Sequence, residues 1–129
     1  MTAETFVAIV EGRQPVFEVG RDAQHVAFLA ERPVRPGHVV VATFAVRDSV
    51  WDLSPDEHSA LWAFVREVAL AMRERLPCQR VCISVIGWVV RHAHVHLVPT
   101  DAPGQVAGLD GPPLPNEQMA AIAARLRRG

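Results

Sequence analysis

The sequence has little that would tie it to a membrane, a polyanion or a disulfide framework. Its longest apolar run, Val39 to Val46, is broken by Thr43 and falls far short of the ~20 residues a membrane-spanning helix needs. Lysine and arginine number 13 against 14 aspartate and glutamate, a net charge of -1, with a pI near 6.6. No basic surplus invites nucleic acid by bulk charge. The opening "MTAETF" has no basic start and no small-residue cleavage site follows, so a cytoplasmic location is expected. Cysteine is scarce: Cys78 and Cys82 form one C-x-x-x-C pair, which is neither a disulfide framework nor a strong metal signal. They read as two small buried residues in a reducing compartment. No repeat or low-complexity tract appears. With 129 residues, half of them apolar, the chain fits one soluble globular domain over 1–129.

What is present reads as a mixture of strands and helices. "FVAIVEGRQP" (6–15) predicts a short amphipathic helix ended by Gly12 and Pro15. "VFEVG" (16–20) and "HVAFLA" (25–30) predict an antiparallel hairpin around "RDAQ", and "HVVVATFAV" (38–46) a further strand. Ser54, Pro55 and Glu57 stand where an N-cap, a first helical residue and a capping box want them. Leu61, Val65, Val68 and Met72 then repeat at helical spacing, widened by Trp62 and Phe64, until Pro77 stops the helix. "RVCISVI" (80–86) predicts a strand buried on both faces. Gly87 predicts a turn, and the segment after it another strand. Residues 100–115 predict a long loop, and 116–128 a last helix, with Met119, Ile122 and Leu126 on one side and arginines at its C-terminal end.

That last strand carries "RHAHVHLVP" (91–99), where half of the six histidines fall within five residues. Residues two apart in a strand face the same side, so His92, His94 and His96 share one face while Ala93, Val95 and Leu97 share the other. A row of imidazoles is poor packing material, because every ring has two nitrogens to satisfy. A single zinc ion is a poor fit: the three positions span about 13 Å of strand, whereas zinc needs its ligand nitrogens within about 2.1 Å. Phosphate chemistry fits better. A neutral imidazole is a good nucleophile, and its neighbours can donate hydrogen bonds to phosphoryl oxygens or to a leaving group. No metal or other cofactor is expected.

"HAHVHLVP" matches the His-x-His-x-His pattern followed by apolar residues, and the chain resembles the histidine triad (HIT) family, of the bacterial hydrolase type, over nearly its whole length. "FVAIVEGRQP" is similar to that family's opening helix. "VAFLAERPVRPGHVVV" is similar to two of its strands with a Pro-Gly-His turn between them, and "DLSPDEHSALW" to the start of its long helix. Gly87 stands five residues before the first triad histidine. The resemblance implies an α+β fold with an antiparallel sheet, a short N-terminal helix, one long helix and a C-terminal helix, the segment after residue 100 being an extension. It implies a homodimer joined along the long helix and the following strand, and nucleoside phosphates as ligands. It implies His94 as the nucleophile that forms a covalent nucleotidyl-imidazole, His92 and His96 as groups that orient it and contact phosphate oxygens, and His38 as a support behind the triad.

The chain also departs from the family pattern. An acid or asparagine that would hold ribose hydroxyls is replaced by Ala30, and the glutamine after the glycine by Trp88, followed by Val89. Trp88 is a candidate for stacking on a base, or else a cap on the sheet core. Arg91 is a candidate for a terminal phosphate, and Ser84 is the polar candidate nearby. The expected activity is cleavage of nucleoside phosphoramidates or dinucleoside polyphosphates. The alternative is a non-catalytic nucleotide-binding module that kept the triad and lost the ribose site.

Overall fold

The structure, a computed structural model, describes residues 1–106, 108 and 110–127. Among these, helix α1 (Ala3–Val10) precedes strands β1 (Glu18–Arg21), β2 (His25–Leu29) and β3 (Val39–Thr43). Helix α2 (Pro55–Arg75), strands β4 (Arg80–Ser84) and β5 (His94–Thr100), and helix α3 (Asn116–Arg127) follow. The strands form one antiparallel sheet in the order β1-β2-β3-β5-β4, so the protein has an α+β fold.

The helices start where their caps dictate. The Ser54 hydroxyl accepts the Glu57 N–H at 3.1 Å, and the Glu57 carboxylate accepts the Ser54 N–H at 2.9 Å, which satisfies two of the backbone donors a helix start leaves open. Helix α1 begins earlier than its apolar pattern suggests, because Thr2 and Thr5 form the same reciprocal pair. It ends by Val10, and the chain turns at Gly12 with φ of 77°.

Period-two alternation sorts the sheet into two faces. Val39, Val41, Ala93, Val95 and Leu97 pack under Leu61, Phe64, Val65, Val68 and Met72 of α2 and Met119, Ala123 and Leu126 of α3. Each buried Val, Leu, Phe or Met among these contributes roughly 1.5–3 kcal/mol. Helix α3 is thus built into the main core. Its expected end at residue 128 lies outside the described residues. The opposite face carries a smaller cluster, in which Phe6 and Ile9 of α1 cover Val26, Phe28, Val40, Ala42 and Val90. The three histidines lie on this second face.

Two expectations fail at β4. The 80–86 run is not buried on both faces: it is the edge strand, paired only with β5, and Ile83, Val85 and Ile86 are exposed. Composition made it look central, but strand order left it at the rim. The cysteines are thiols, and both are only partly buried. The 100–115 segment is folded back by a 3-10 turn at Pro103–Val106 and by the Gly111 N–H donating to the Arg32 carbonyl at 3.1 Å.

Candidate active site

Strand β5 starts at His94, and His92 is fixed just ahead of it. The Ala93 N–H donates to Arg47 O at 2.9 Å, and Thr43 N–H donates to Ala93 O at 3.3 Å. His92 is 1% exposed. One of its ring nitrogens, Nε2, lies 2.7 Å from the Thr43 carbonyl. A carbonyl can only accept, so Nε2 carries the proton. The same logic sets the next ring. His94 Nδ1 lies 2.6 Å from the His92 carbonyl, so Nδ1 is protonated and Nε2 keeps its lone pair. Phe6 meets this ring edge-on at 5.0 Å between centroids.

The third ring is set from behind. The turn Pro36–Gly37 delivers His38 to the start of β3; Gly37 has φ of 94°, and a Cβ there would sit 2.9 Å from Leu76 Cδ1, so glycine is required. His38 Nδ1 accepts the Val34 N–H at 3.1 Å, which leaves the His38 proton on Nε2. That proton faces His96 Nδ1 at 2.9 Å. His96 therefore carries its own proton on Nε2. The chain of bonds thus puts a lone pair on His94 Nε2 and an N–H on His96 Nε2, with the two rings 4.9 Å apart between centroids.

Burial keeps these rings neutral. It pushes His38 down to about 4. It pushes His96 down to about 3, with further lowering from His94 and His38. Burial also lowers His94, opposed by its bond to the His92 carbonyl. A nucleophilic imidazole must be neutral, so the same burial that costs solvation keeps the lone pair free at pH 7.

His38, His94 and His96 line a cavity of about 180 Å³ whose walls include Phe6, Phe28, Ala30 and Val40. Trp88 lines it too, yet it is 77% exposed, so it stands at the rim and does not cap the sheet core. A second cavity of about 150 Å³, which includes Ser84, shares His38, His96 and Ile86 with the first. Ser84 stands opposite His96 in the β4–β5 register. Arg91 lines neither cavity. It lies ahead of β5 and is exposed, and its guanidinium pairs with Asp48 at 3.3 Å. His92 is also off the cavity wall. Glu31, Arg32 and Asp110, which line the first cavity, were not singled out from sequence. Ala30 and Phe28 had a usable signal, since both share parity with Val26 on the histidine face. Among the described residues, no three His, Cys, Asp or Glu side chains are grouped as metal ligands.

An antiparallel α+β sheet with a His-x-His-x-His strand braced by a fourth histidine defines a protein of the histidine triad type. A family model for the HIT domain matches residues 11–102, and the chain belongs to the HIT family. It is 33% identical over 100 residues to an uncharacterized HIT-like protein of Saccharolobus solfataricus, covering 74% of this chain and 72% of that one. It is 27% identical over 73 residues to a bis(5'-adenosyl)-triphosphatase of Dictyostelium discoideum; the match covers 53% of this chain and spans 49% of that enzyme's length. Its fold is that of a hypothetical histidine triad nucleotide-binding protein from Sulfolobus tokodaii, with a TM-score of 0.86 at 21% identity over 95% of this chain and 89% of the other.

Proposed function

We propose that this protein is a nucleotide hydrolase, acting on nucleoside phosphoramidates or dinucleoside polyphosphates through a nucleotidyl intermediate on His94. The observation that carries this reading is the 2.6 Å bond from His94 Nδ1–H to the His92 carbonyl, which leaves Nε2 unprotonated at the cavity. The relative named as a dinucleoside triphosphatase supports the substrate class.

In the first step the His94 Nε2 lone pair attacks phosphorus. The Nε2–P bond forms as the bond to the leaving group breaks, and that electron pair departs with the leaving group. An amine leaving group takes its proton from solvent water. The ring becomes cationic, and its Nδ1–H stays on the His92 carbonyl, which stabilises the developing charge. In the second step water attacks phosphorus, the Nε2–P pair returns to the ring, and the water's surplus proton goes to solvent. His96 Nε2–H donates to a phosphoryl oxygen in both steps. His38 and His92 act as positioning residues: His38 fixes the proton of His96, and His92 offers its backbone carbonyl to His94. Trp88 at the rim stacks on the base, and Ser84 offers a hydroxyl on the far side of His96. Arg91, paired with Asp48 and outside both cavity linings, is assigned no phosphate contact in this reading.

The second reading, a nucleotide-binding module without turnover, is favoured by Ala30, a buried methyl where the resemblance puts a ribose-holding acid. Incubation with a panel of phosphoramidates and dinucleoside polyphosphates separates the two: turnover that is lost in His94→Ala supports the hydrolase, and binding without turnover supports the module. We also read 1–129 as one HIT domain and as a cytoplasmic homodimer. The exposed apolar residues of the β4 edge and its continuation, Ile83, Val85 and Ile86, are the surface a second copy would cover. Light scattering at micromolar concentration expects a dimer of the 14.2 kDa chain. No described helix is long and apolar enough to cross a membrane.

A further inference from the structure

A third cavity, of about 320 Å³, lies away from the histidines, where the Pro36 turn, the end of α2 and one side of α3 meet. It shares no described lining residue with the two cavities beside His96. The turn separates them: Arg35 and Pro36 line this cavity, and His38 lines the other two. Gly37 is seated on two of its lining residues, since a Cβ there would lie 2.9 Å from Leu76 Cδ1 and 3.1 Å from Pro99 Cγ. Gln118, Ile122 and Arg125 follow one another at helical spacing, so a single stripe of α3 makes the facing wall.

The described lining holds two arginines and no carboxylate. Arg35 is partly engaged: its Nε–H donates to the Pro99 carbonyl at 2.9 Å, and Nη2 lies 3.3 Å from Asp101 Oδ2. That leaves its Nη1 donors over, with Asp101 offsetting part of the charge. Arg125 supplies the rest. Its helix neighbour Arg127 donates to the Glu18 carbonyl at 2.6 Å, and Arg75 takes the Leu126 carbonyl at 2.7 Å. Arg125 itself has no ion pair among the described residues. Cys78 on the same wall is a thiol. Burial and Asp101 push its pKa up, against Arg35, so it adds no negative charge at pH 7.

We infer that this cavity is a second binding site, which takes a small amphipathic anion. Its carboxylate or phosphate is held by the guanidinium groups of Arg125 and Arg35, and its apolar body lies on Leu76, Pro99 and Ile122. Gln118 adds an amide at the exposed side. The site does not depend on the hydrolase reading, because it uses none of the histidines. Arg125 is exposed, so binding weakens with salt, with a screening length of about 8 Å at physiological ionic strength.

The two cysteines make the test site-specific. Cys78 lines this cavity and Cys82 a cavity beside His96, and trypsin places them on separate peptides, 76–80 and 81–91. The full chain, in phosphate-free buffer at low salt, is alkylated with N-ethylmaleimide in the presence of 4-phenylbutyrate, phenylphosphate or the neutral 4-phenylbutyramide. Either anion at about 10 mM is expected to slow alkylation of Cys78 about fivefold or more, saturably, with less effect on Cys82. The stronger protector of the two identifies the headgroup, carboxylate or phosphate. The amide is expected to protect little. Arg125→Gln should weaken the protection about fivefold, and Arg125→Glu should abolish it, with thermal midpoints that confirm both variants are folded. Amide chemical shifts in the same titrations give a second reading, in which residues 118–125 move with the anions and not with the amide. Equal protection by the amide, protection of Cys78 no greater than that of Cys82, or protection that Arg125→Glu leaves unchanged overturns the proposal. So does a titration to about 10 mM of either anion that moves none of the 118–125 amides.

Discussion

Acidification should destabilise this protein well above the pH at which its carboxylates titrate. The cause is the pair formed by the buried His38 and the half-buried His96, which share a 2.9 Å hydrogen bond and are held down to about 4 and about 3. The unfolded rings titrate near 6.5. Between the folded and unfolded values the unfolded chain binds more protons, so stability is full above 6.5 and falls as pH drops through that value. Moving from pH 8 to pH 5 crosses about 1.5 units of that window for each ring, which is about 2 kcal/mol per ring. The pair together gives about 4 kcal/mol as an upper figure, because the two rings share one bond and do not add independently. His94 contributes with the same sign. With a urea m-value of about 2 kcal/mol/M, the midpoint should fall by up to about 2 M. Urea titrations at half-unit steps from pH 8 to 5 read this directly. The double variant His38→Gln/His96→Gln should lose most of the slope, whatever its stability at pH 8. A midpoint that does not move between pH 8 and 5, or a double variant that keeps the full slope, would refute the neutral pair.

Other consequences follow from the same geometry. The acid limb of kcat/KM should lie below pH 6.5, because burial lowers the His94 pKa and protonation of Nε2 removes the nucleophile; a limb centred at or above 6.5 would contradict the burial argument. Phe6→Ala should destabilise the fold by about 3–5 kcal/mol and, by admitting water beside the His94 ring, move that limb up toward 6.5, which a pH–rate profile of the surviving folded enzyme would show. Gly37→Ala should cost more than about 1 kcal/mol in urea, since φ of 94° excludes a Cβ and the methyl meets Leu76; an unchanged midpoint would mean that the turn can rearrange. His96→Ala should lower kcat about 10²–10³-fold with nucleotide binding largely kept, a milder loss than in His94→Ala, and equal losses would assign His96 more than a hydrogen bond.

Much of this architecture is readable from short-range signals. The parity of His92, His94 and His96 against Ala93, Val95 and Leu97 put the imidazoles on one face and the core on the other, and both faces are as expected. The Ser54–Glu57 capping box and the α2 stripe are likewise local, depending only on spacing along one helix. What failed was what depends on the whole sheet. The 80–86 run is β-branched and apolar enough for a central strand, but nothing within it records that only one neighbour will pair with it. Arg91 was judged by residue type, and nothing in its own run records that β5 starts only at His94 or that Asp48 lies within reach of the guanidinium. Glu31 and Asp110 come from distant loops that converge on the cavity, and no local pattern announces that convergence. The proton assignments of the four rings were also out of reach, since they depend on carbonyls and an amide, from Thr43, His92 and Val34, that only the folded backbone brings into range.

The central claim is that His94 Nε2 forms a bond to phosphorus. Rapid-quench mass spectrometry of the wild type with a substrate whose leaving group departs quickly tests it most directly. The expected result is a nucleotide mass on the 92–96 peptide, localised to His94, formed within one turnover and absent in His94→Ala. Steady turnover with no adduct at any quench time, an adduct on His96 instead, or near-normal turnover by His94→Ala would contradict it.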